Sequence, residues 1–302
     1  MAAANRTRFK EIAQSTLKAI ETGSFVLGNR TIPLTSSIPN THHYTPADLA
    51  KWPVRLPSTS PHAQRPQISI LEISTLEAAL LLSQQPSQEV GSNDILPPAT
   101  RFRVGVLNFA SAKNPGGGFL SGSQAQEETI ARSSTLYQSL TSSAAQGYYS
   151  SHKKDPCGGY YSHSIIWSPN VTIFRNDAGE WQEPFQVDVV TSPAVNAGVV
   201  RRSHTTDAVQ EEKQIESVMR ERMARILFVF ESQGVSRVVL GSFGTGVFRN
   251  SVPMVARLWL ELLGLPDSRF AFSFEQIVFG IIGTQTYEVF KATFEQSRRE
   301  AS

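Results

Sequence analysis

The chain has 302 residues, of which 40% are hydrophobic, and its formal net charge is +2. This size suits one enzyme-sized domain with a sizeable core, and so small a net charge does not by itself argue for nucleic-acid binding. The single cysteine, Cys157, excludes an internal disulfide and with it a secreted disulfide scaffold. The sequence has neither the apolar core of a signal peptide nor an apolar run of transmembrane length. We therefore expect an intracellular protein, cytoplasmic or nuclear, that does not bind membranes.

The N-terminal third combines helical and strand-like segments with polar loops. A segment rich in proline, serine and histidine leads to residue 66. We interpret His42-His43 within it as a loop, because no carboxylate or further histidine pair stands at metal-ligand spacing. The elements predicted from periodicity are a helix over 6–22, short strands between 23 and 66, a strand over 68–73, a helix over 75–85 and a polar loop over 86–100.

From residue 102 onward, short apolar runs alternate with helical patterns. The predicted strands are 102–107, 164–167, 171–174, 187–191, 237–240 and 276–280. The predicted helices are 124–140, 207–233, one that begins near residue 251, and 284–296, and residues 147–161 are predicted to be irregular. The apolar stripe of 207–233 indicates a helix that faces the core. This alternation predicts a three-layer α/β/α arrangement.

A glycine-rich loop follows the strand predicted over 102–107. Asn108 leaves the strand, Gly116-Gly117-Gly118 forms the loop, and Gln126-Glu127-Glu128 begins the next helix. Consecutive glycines can take φ > 0 and let backbone N–H groups approach a ligand. Such amides form a concavity that suits a phosphate or the hydroxyls of a sugar. Two acids beside that concavity suggest chemistry on a glycosidic bond.

A purely structural interpretation also fits the start of this helix. Ser123 and Gln126 have the spacing of a capping box, and acids at Glu127 and Glu128 are favoured near a positive helix end. Glu128 also precedes Arg132 by a helix-stabilising interval. This interpretation leaves three successive glycines unexplained, because they cost backbone entropy that an ordinary turn avoids.

A second glycine-rich loop covers residues 241–250. It follows the buried strand predicted over 237–240 and precedes a helix with Pro253 in its first turn. In an open α/β sheet, ligands bind beyond the carboxyl ends of the strands, where such loops meet. Two loops of this kind, one of them with paired acids, favour the functional interpretation over the structural one.

These motifs resemble those of a known family. Asn108-Phe109-Ala110, then three glycines, seven residues and QEE, are similar to the signature of the poly(ADP-ribose) glycohydrolases, in which GGG is followed by six to eight residues and QEE. The 241–250 loop resembles the diphosphate-binding loop of that family. The N-terminal helix and the single-domain size resemble its compact microbial type, found in bacteria and fungi. The resemblance covers most of residues 6–295.

The resemblance implies a fold and a domain organisation. The expected fold is a macrodomain-like α/β structure, with a mixed sheet between helical layers and additional N-terminal helices. We expect one catalytic domain over 1–302, with a helical extension over about 1–66 and the macrodomain core over about 67–297. The stretches 53–67 and 85–98 match nothing in the family and are interpreted as insertions or loops.

The two glutamates are assigned different roles. Successive helical residues point about 100° apart, so Glu127 and Glu128 cannot flank one bond in the manner of two separated glycosidase carboxylates. One acid must therefore transfer the protons while the other positions the sugar. The resemblance implies that Glu128 is the general acid and then the general base, and that Glu127 accepts hydrogen bonds from ribose hydroxyls.

The remaining candidate site residues come from the two loops. Phe248 resembles the family's aromatic residue that orients the terminal ribose, although a core aromatic is an alternative, and Asn196 is a weaker candidate for ribose binding. Asn114 precedes a proline, which is also ordinary turn chemistry. The predicted substrate-binding residues are Asn108, Asn114, Gly116, Gly117, Gly118, Gln126, Gly244, Thr245, Gly246, Val247 and Phe248.

The favoured function is hydrolysis of ribose–ribose bonds in poly(ADP-ribose) or on ADP-ribosylated proteins, with release of ADP-ribose. We expect a monomer that needs no metal or cofactor and has no sequence-specific nucleic-acid partner. Two alternatives stay open: a hydrolase of mono-ADP-ribose or O-acetyl-ADP-ribose, and a reader module that binds ADP-ribose without turnover. The two glutamates argue against a pure reader, because binding a polyanion gains nothing from two acids.

Overall fold

The computed structural model describes residues 2–34, 38–54, 64–85, 103–154, 157–203 and 207–301. The α-helices are α1 (Ala2–Thr22), α2 (Thr75–Gln84), α3 (Gln126–Ser133), α4 (Leu136–Thr141), α5 (Gln146–Lys153), α6 (Ala197–Ser203), α7 (Ala208–Ser232), α8 (Val252–Leu263) and α9 (Thr284–Glu300). The strands are β1 (Ser24–Leu27), β2 (Arg30–Pro33), β3 (His42–Tyr44), β4 (Gln67–Leu71), β5 (Val104–Phe109), β6 (Ile165–Arg175), β7 (Trp181–Ser192), β8 (Arg237–Leu240) and β9 (Gln276–Gly280).

A mixed sheet forms the middle layer. Its strand order is β3-β6-β7-β5-β8-β9-β4. The strands from β7 to β4 are parallel to their neighbours, whereas β3, β6 and β7 pair antiparallel. Strand β8 is buried along its whole length, as expected of a central parallel strand covered on both faces.

Two hydrophobic clusters fill the space between the sheet and the helices. Successive side chains of a strand point to opposite faces, so Val104 and Val106 of β5 join one cluster while Leu107 joins the other. Helices α7, α8 and α9 contribute to the cluster that contains Leu107, and α2, α4 and α5 contribute to the opposite one. The three-layer α/β/α prediction is therefore confirmed.

The N-terminal segment supports the glycine-rich loop that follows β5. Ala13 of α1 packs with Phe119 and Ala131 in a small cluster, and Arg6 Nε donates to the Ser121 carbonyl at 2.9 Å. Strands β1 and β2 form a separate hairpin, and β3 joins the main sheet beside β6. The segment before residue 66 thus contributes one α-helix in its described part and one strand of the sheet, and the domain division at that point stays a prediction.

The sheet brings three loops to one edge. Because β5, β7 and β8 are parallel neighbours, their carboxyl ends lie on the same side of the molecule. The loops that follow them are residues 110–125, 193–196 and 241–251. A cleft at this edge is where ligands of open α/β sheets bind.

Several predicted elements are confirmed. The helix predicted over 207–233 is α7, and the Asp207 side chain caps it by accepting the Val209 N–H at 2.9 Å. Helix α8 begins after the N-cap Ser251 with Pro253 in its first turn, where a missing N–H removes no helical bond. Residue 102 and the predicted loop over 86–100 lie outside the described residues.

The helix predicted over 124–140 is wrong as a single helix. The chain forms α3 and α4, separated by Ser134 and Thr135. At this break the Thr135 N–H donates to the Thr172 carbonyl at 3.0 Å, and Ser134 forms an isolated antiparallel β-bridge with Ile173 of β6. Pairing with the neighbouring strand interrupts the helical hydrogen bonds, which periodicity along the chain could not reveal.

Three further predictions need correction. Residues 147–161 are not irregular throughout, because α5 extends to Lys153. The strands predicted over 164–167 and 171–174 are one strand, β6, with an irregularity at Asn170, whose φ is +55°. His42 and His43 lie in β3 and not in a loop.

Candidate active site

Two buried carboxylates occupy the first turn of α3. Glu127 is 2% exposed and Glu128 is 9% exposed. Helix α3 begins at Gln126 after the N-cap position Ala125, so the capping box predicted for Ser123 and Gln126 is wrong. The Ala125 N–H instead donates to Glu128 Oε2 at 3.1 Å.

Backbone N–H groups hold the Glu128 carboxylate at both oxygens. Besides the bond from Ala125, the Gly118 N–H donates to Glu128 Oε1 at 2.9 Å. Gly117 has φ +58°, and a Cβ built there would lie 2.5 Å from Glu128 Oε1 and 3.1 Å from Glu127 Oε2. Glycine is therefore required at this position both by the left-handed backbone and by the two carboxylates that lie against it.

Glu127 is held against the end of β5. The Ser111 N–H donates to Glu127 Oε2 at 2.6 Å, and Asn108 Nδ2 donates to Oε1 at 3.4 Å. Burial raises the pKa of Glu127 to about 8, the charge of Glu128 acts in the same direction, and the N–H groups of Ser111 and Gly116 oppose the shift. Desolvation thus favours the neutral acid at neutral pH.

The polyglycine loop uses its amides within the protein. The Gly117 N–H donates to the Asn114 carbonyl at 3.0 Å, the Gly118 N–H binds Glu128, and the Gly116 N–H stabilises the charged form of Glu127. The N–H groups of 116–118, which the sequence predicted to contact the substrate, are therefore engaged within the protein, two with the glutamates and one with the Asn114 carbonyl.

In the loop after β8, by contrast, several backbone N–H groups are not used within the described chain. Within the described part of the chain, a set of backbone N–H groups here donates to no acceptor, namely those of Gly244, Gly246, Val247 and Phe248. The Thr245 N–H is engaged, because it donates to the Ser242 carbonyl at 3.2 Å. Val247 is 83% exposed. Free N–H groups clustered in one loop make a binding site for an anion.

Residues 13–176 match the family described as microbial-type PARG, catalytic domain, where PARG stands for poly(ADP-ribose) glycohydrolase. This match spans more than half of the chain. The chain belongs to the microbial-type poly(ADP-ribose) glycohydrolase family. A search of curated proteins found no match.

Solved PARG structures extend the similarity over nearly the whole chain. The Thermomonospora curvata enzyme is 35% identical with a TM-score of 0.82, and the match covers 96% of this chain and 99% of that one. The same enzyme bound to the inhibitor ADP-HPD is matched at 34% identity and a TM-score of 0.80, over 97% and 100%. The Deinococcus radiodurans enzyme in complex with ADP-ribose is 33% identical with a TM-score of 0.71, over 87% and 96%. The macrodomain-like fold is therefore confirmed.

Gln126 of the PARG signature anchors helix α3 to strand β5. Its Oε1 accepts the Phe109 N–H at 2.8 Å, and its Nε2 donates to the Leu107 carbonyl at 2.7 Å. Nε2 also donates to Thr75 Oγ1 at 3.2 Å. The structure thus uses both ends of this amide to place the two glutamates relative to the strand, although the sequence predicted a substrate contact.

The two predicted asparagines lie in different surroundings. Asn108 is fully buried, its Nδ2 donates to Thr191 Oγ1 at 3.1 Å, and its Oδ1 has no partner among the described residues. Its Nδ2 also lies 3.4 Å from Glu127 Oε1, so Asn108 is next to Glu127 and carries a buried acceptor oxygen that is unused within the described chain. Asn114 is exposed, and its backbone carbonyl closes the turn with Gly117.

Phe248 lies half-buried at the rim of the site. Its ring is tilted at 41° to that of Tyr161, with the centroids 6.1 Å apart, and it packs against the core cluster behind it. Asn196, the weaker candidate, uses its Oδ1 to accept the Val199 N–H at 3.1 Å at the start of α6.

Sequence reasoning missed Asn250. Its Nδ2 donates to the Val195 carbonyl at 2.7 Å and to the Gly244 carbonyl at 3.0 Å. Asn250 thereby ties the loop after β7 to the loop after β8. Its place at the end of the glycine-rich loop was the only signal, and that signal does not distinguish a clamp from a turn residue.

The described residues contain no group of three or more histidine, cysteine or acidic side chains that could hold a metal ion. Cys157 is exposed and is a free thiol. Within the same described ranges, no helix is both long and apolar enough to cross a membrane.

Proposed function

We propose that this protein hydrolyses the ribose–ribose O-glycosidic bonds of poly(ADP-ribose), releases ADP-ribose, and uses Glu128 as the general acid and then the general base. One observation carries the proposal: the Glu128 carboxylate is fixed by the N–H groups of Gly118 and Ala125 at the sheet edge that also presents the free amides of the 244–248 loop. The Deinococcus radiodurans relative, whose structure is a complex with ADP-ribose, supports ADP-ribose as the chemical class of the ligand.

The loop after β8 binds the diphosphate of the substrate in this proposal. The N–H groups of Gly244, Gly246 and Val247 have no acceptor within the described chain and donate to the phosphate oxygens. Such bonds to a charged acceptor are stronger than neutral ones. Phe248 presses on the terminal ribose and orients its anomeric carbon toward α3.

The buried polar groups at the end of β5 bind the ribose hydroxyls. Asn108 Oδ1, which lacks a partner within the described chain, accepts one hydroxyl hydrogen. Glu127 is the second sugar contact, and its raised pKa, about 8, leaves it neutral at pH 7. A neutral Glu127 can both accept hydrogen bonds from the ribose hydroxyls and donate one to them.

Glu128 performs the proton transfers. Its carboxyl proton passes to the departing ribose oxygen as the glycosidic bond breaks, and the bond electrons leave with that oxygen. The diphosphate stabilises the oxocarbenium-like centre that forms at the anomeric carbon. The Glu128 carboxylate then accepts a proton from the attacking water, whose oxygen bonds to the anomeric carbon, and the acid is regenerated.

The decisive experiment compares wild type with Glu128→Gln on purified poly(ADP-ribose), with a chelator present and released ADP-ribose measured by chromatography. We expect a loss of turnover of about 10²- to 10⁴-fold. ADP-ribose binding should be retained, because the substituted carboxamide has nearly the same shape and its oxygen still accepts one of the two N–H groups. Full activity of the variant would place the chemistry on another residue. No release by wild type, with ADP-ribose still bound, would indicate a reader or a hydrolase of another ADP-ribose linkage.

We further infer that the enzyme acts as a metal-independent monomer inside the cell. The proposed proton transfers need only Glu128 and the loop amides, and an exposed lone thiol at Cys157 suits a reducing compartment. Activity in the presence of the chelator tests the first part. Gel filtration of the purified protein, with elution as a dimer as the contrary result, tests the second.

A further inference from the structure

A buried arginine in the middle of α7 connects two loops of the site. Arg222 is 0% exposed. Its Nη1 donates to the Pro193 carbonyl at 3.0 Å, and its Nη2 donates to the carbonyls of Tyr160 at 2.8 Å and Tyr161 at 3.2 Å. Pro193 follows β7, whereas Tyr160 and Tyr161 lie between α5 and β6.

Packing alone does not account for an arginine here. Arg222 forms no ion pair with a carboxylate of the described chain. Burial lowers its pKa to about 10, so it is a cation at neutral pH. A buried cation is costly unless its donors are hydrogen-bonded, and an apolar side chain of similar volume is often better tolerated. The carbonyl contacts are therefore the specific contribution of this residue.

The carbonyl of Tyr161 belongs to a residue with unusual backbone geometry. Its φ is +56°, a left-handed conformation that is uncommon outside glycine and depends on its surroundings. The ring of Tyr161 lies against Phe248, with centroids 6.1 Å apart. Arg222 thus holds the main chain of Tyr161, and the ring of Tyr161 contacts Phe248 in the loop after β8.

Backbone hydrogen bonds join the same loops to one another. The Asn196 N–H donates to the Gly159 carbonyl at 2.8 Å, and the Gly198 N–H donates to the Phe248 carbonyl at 3.1 Å. The segments 157–161, 193–198 and 244–250 therefore form one connected unit, and Arg222 contacts it from the core side.

We propose that Arg222 is a positioning residue that fixes Tyr161 against Phe248 and thereby orients the terminal ribose toward Glu128. This inference rests on the proposed function. Arginine suits the task because its planar fork donates in several directions at once and reaches carbonyls from two loops, which a lysine ammonium on one flexible stem does not reproduce.

The test is Arg222→Met, which keeps most of the side-chain volume, with Arg225→Met as the matched control. Arg225 lies on the same helix but contacts Pro46 and Glu221, not the loops. We expect Arg222→Met to lower kcat for ADP-ribose release by about 10- to 100-fold, with KM changed less than about threefold, because misorientation of a bound sugar affects turnover most. Arg225→Met should stay within about twofold of wild type.

A double-mutant cycle with Phe248→Ala separates positioning from a general structural effect. If Arg222 acts through Phe248, adding Arg222→Met to Phe248→Ala should lower kcat by less than about threefold more, because coupled residues are not additive. Effects that multiply fully would overturn the proposal. If Arg222→Met does not fold, the same cycle with Arg222→Lys decides, since the lysine keeps the charge but not the fork.

Amide hydrogen exchange gives a reading that needs no substrate. The N–H group of Asn196 should exchange faster in Arg222→Met than in wild type and in Arg225→Met, because its acceptor, the Gly159 carbonyl, lies in the 157–161 segment that Arg222 holds. Unchanged exchange would overturn the proposal even in an active enzyme. Faster exchange in a protein without glycohydrolase activity would keep the positioning role and reject the proposed reaction.

Discussion

The loops after β5 and β8 are both rich in glycine, but their backbone N–H groups are used differently. In the loop after β5, the amides of 116–118 are engaged by a carbonyl and two carboxylates of the protein itself. In the loop after β8, the amides of Gly244, Gly246 and Val247 have no acceptor within the described chain. In the proposed function, the glycine-rich backbone of one loop therefore fixes the catalytic acids, and that of the other loop leaves its N–H donors free for the substrate.

The largest effect is expected from a substitution in the loop after β5. In Gly117→Ala the new Cβ would lie 2.5 Å from Glu128 Oε1 and would have to be carried at φ +58°. We expect kcat to fall by about 10²-fold or more, because the general acid is displaced from its donors. The rate of ADP-ribose release measures this.

Gly234→Ala is the matched control for that substitution. Gly234 lies between α7 and β8, away from both glycine-rich loops. Its φ is +69°, and nothing lies within 4 Å of a Cβ built there, so the variant repeats the backbone strain without the contact to Glu128. Activity and ADP-ribose binding should stay within about twofold of wild type. Equal losses in Gly117→Ala and Gly234→Ala would attribute the loss to backbone strain and contradict the role given to the loop after β5.

A second prediction concerns how the stability of the folded protein depends on pH through Glu127. The pKa of Glu127 is raised from 4.5 to about 8 in the folded protein, so wild-type stability falls as the pH rises through that range. Glu127→Gln removes this titration. The free energy of unfolding of the variant, relative to that of wild type, should therefore rise by on the order of 4 kcal/mol from pH 5 to pH 9. Urea unfolding at the two pH values measures it, and a difference that does not change with pH would contradict it.

The smallest effect is expected from a substitution at Gly244 in the loop after β8, and it separates ligand binding from turnover. Gly244 has φ +74°, and a Cβ there would overlap Ala194 and crowd Asn250 Nδ2 at 2.7 Å. Gly244→Ala should displace the free amides and weaken ADP-ribose binding by about tenfold, which corresponds to about 1.4 kcal/mol. Calorimetric titration measures the Kd. A loss confined to kcat would place this loop with the chemistry instead.

Much of this arrangement could be predicted from the sequence. Strand, glycine-rich loop and helix recur twice, and the QEE motif places both acids in the first turn of α3. The apolar stripe of α7 predicted its burial. These are local properties, because side-chain periodicity and the φ range of glycine are set by residues close together in the chain.

The predictions from sequence were wrong where a hydrogen bond to a distant segment replaces the local one. Gln126 pairs with β5 and not with Ser123, and the break between α3 and α4 follows from pairing with Thr172 of β6. Arg222 lay in a helix assigned to the core, and only the fold shows that its donors reach the loops.

The sequence by itself determined the family signature, the alternation of strands and helices, and the glycines that permit left-handed turns. The tertiary structure decided which donors are free. An amide at Gly118 and an amide at Gly246 are chemically alike. Only the first has a carboxylate placed against it by the folding of α3 onto β5, because hydrogen bonding depends on distances between segments and not on their order in the chain.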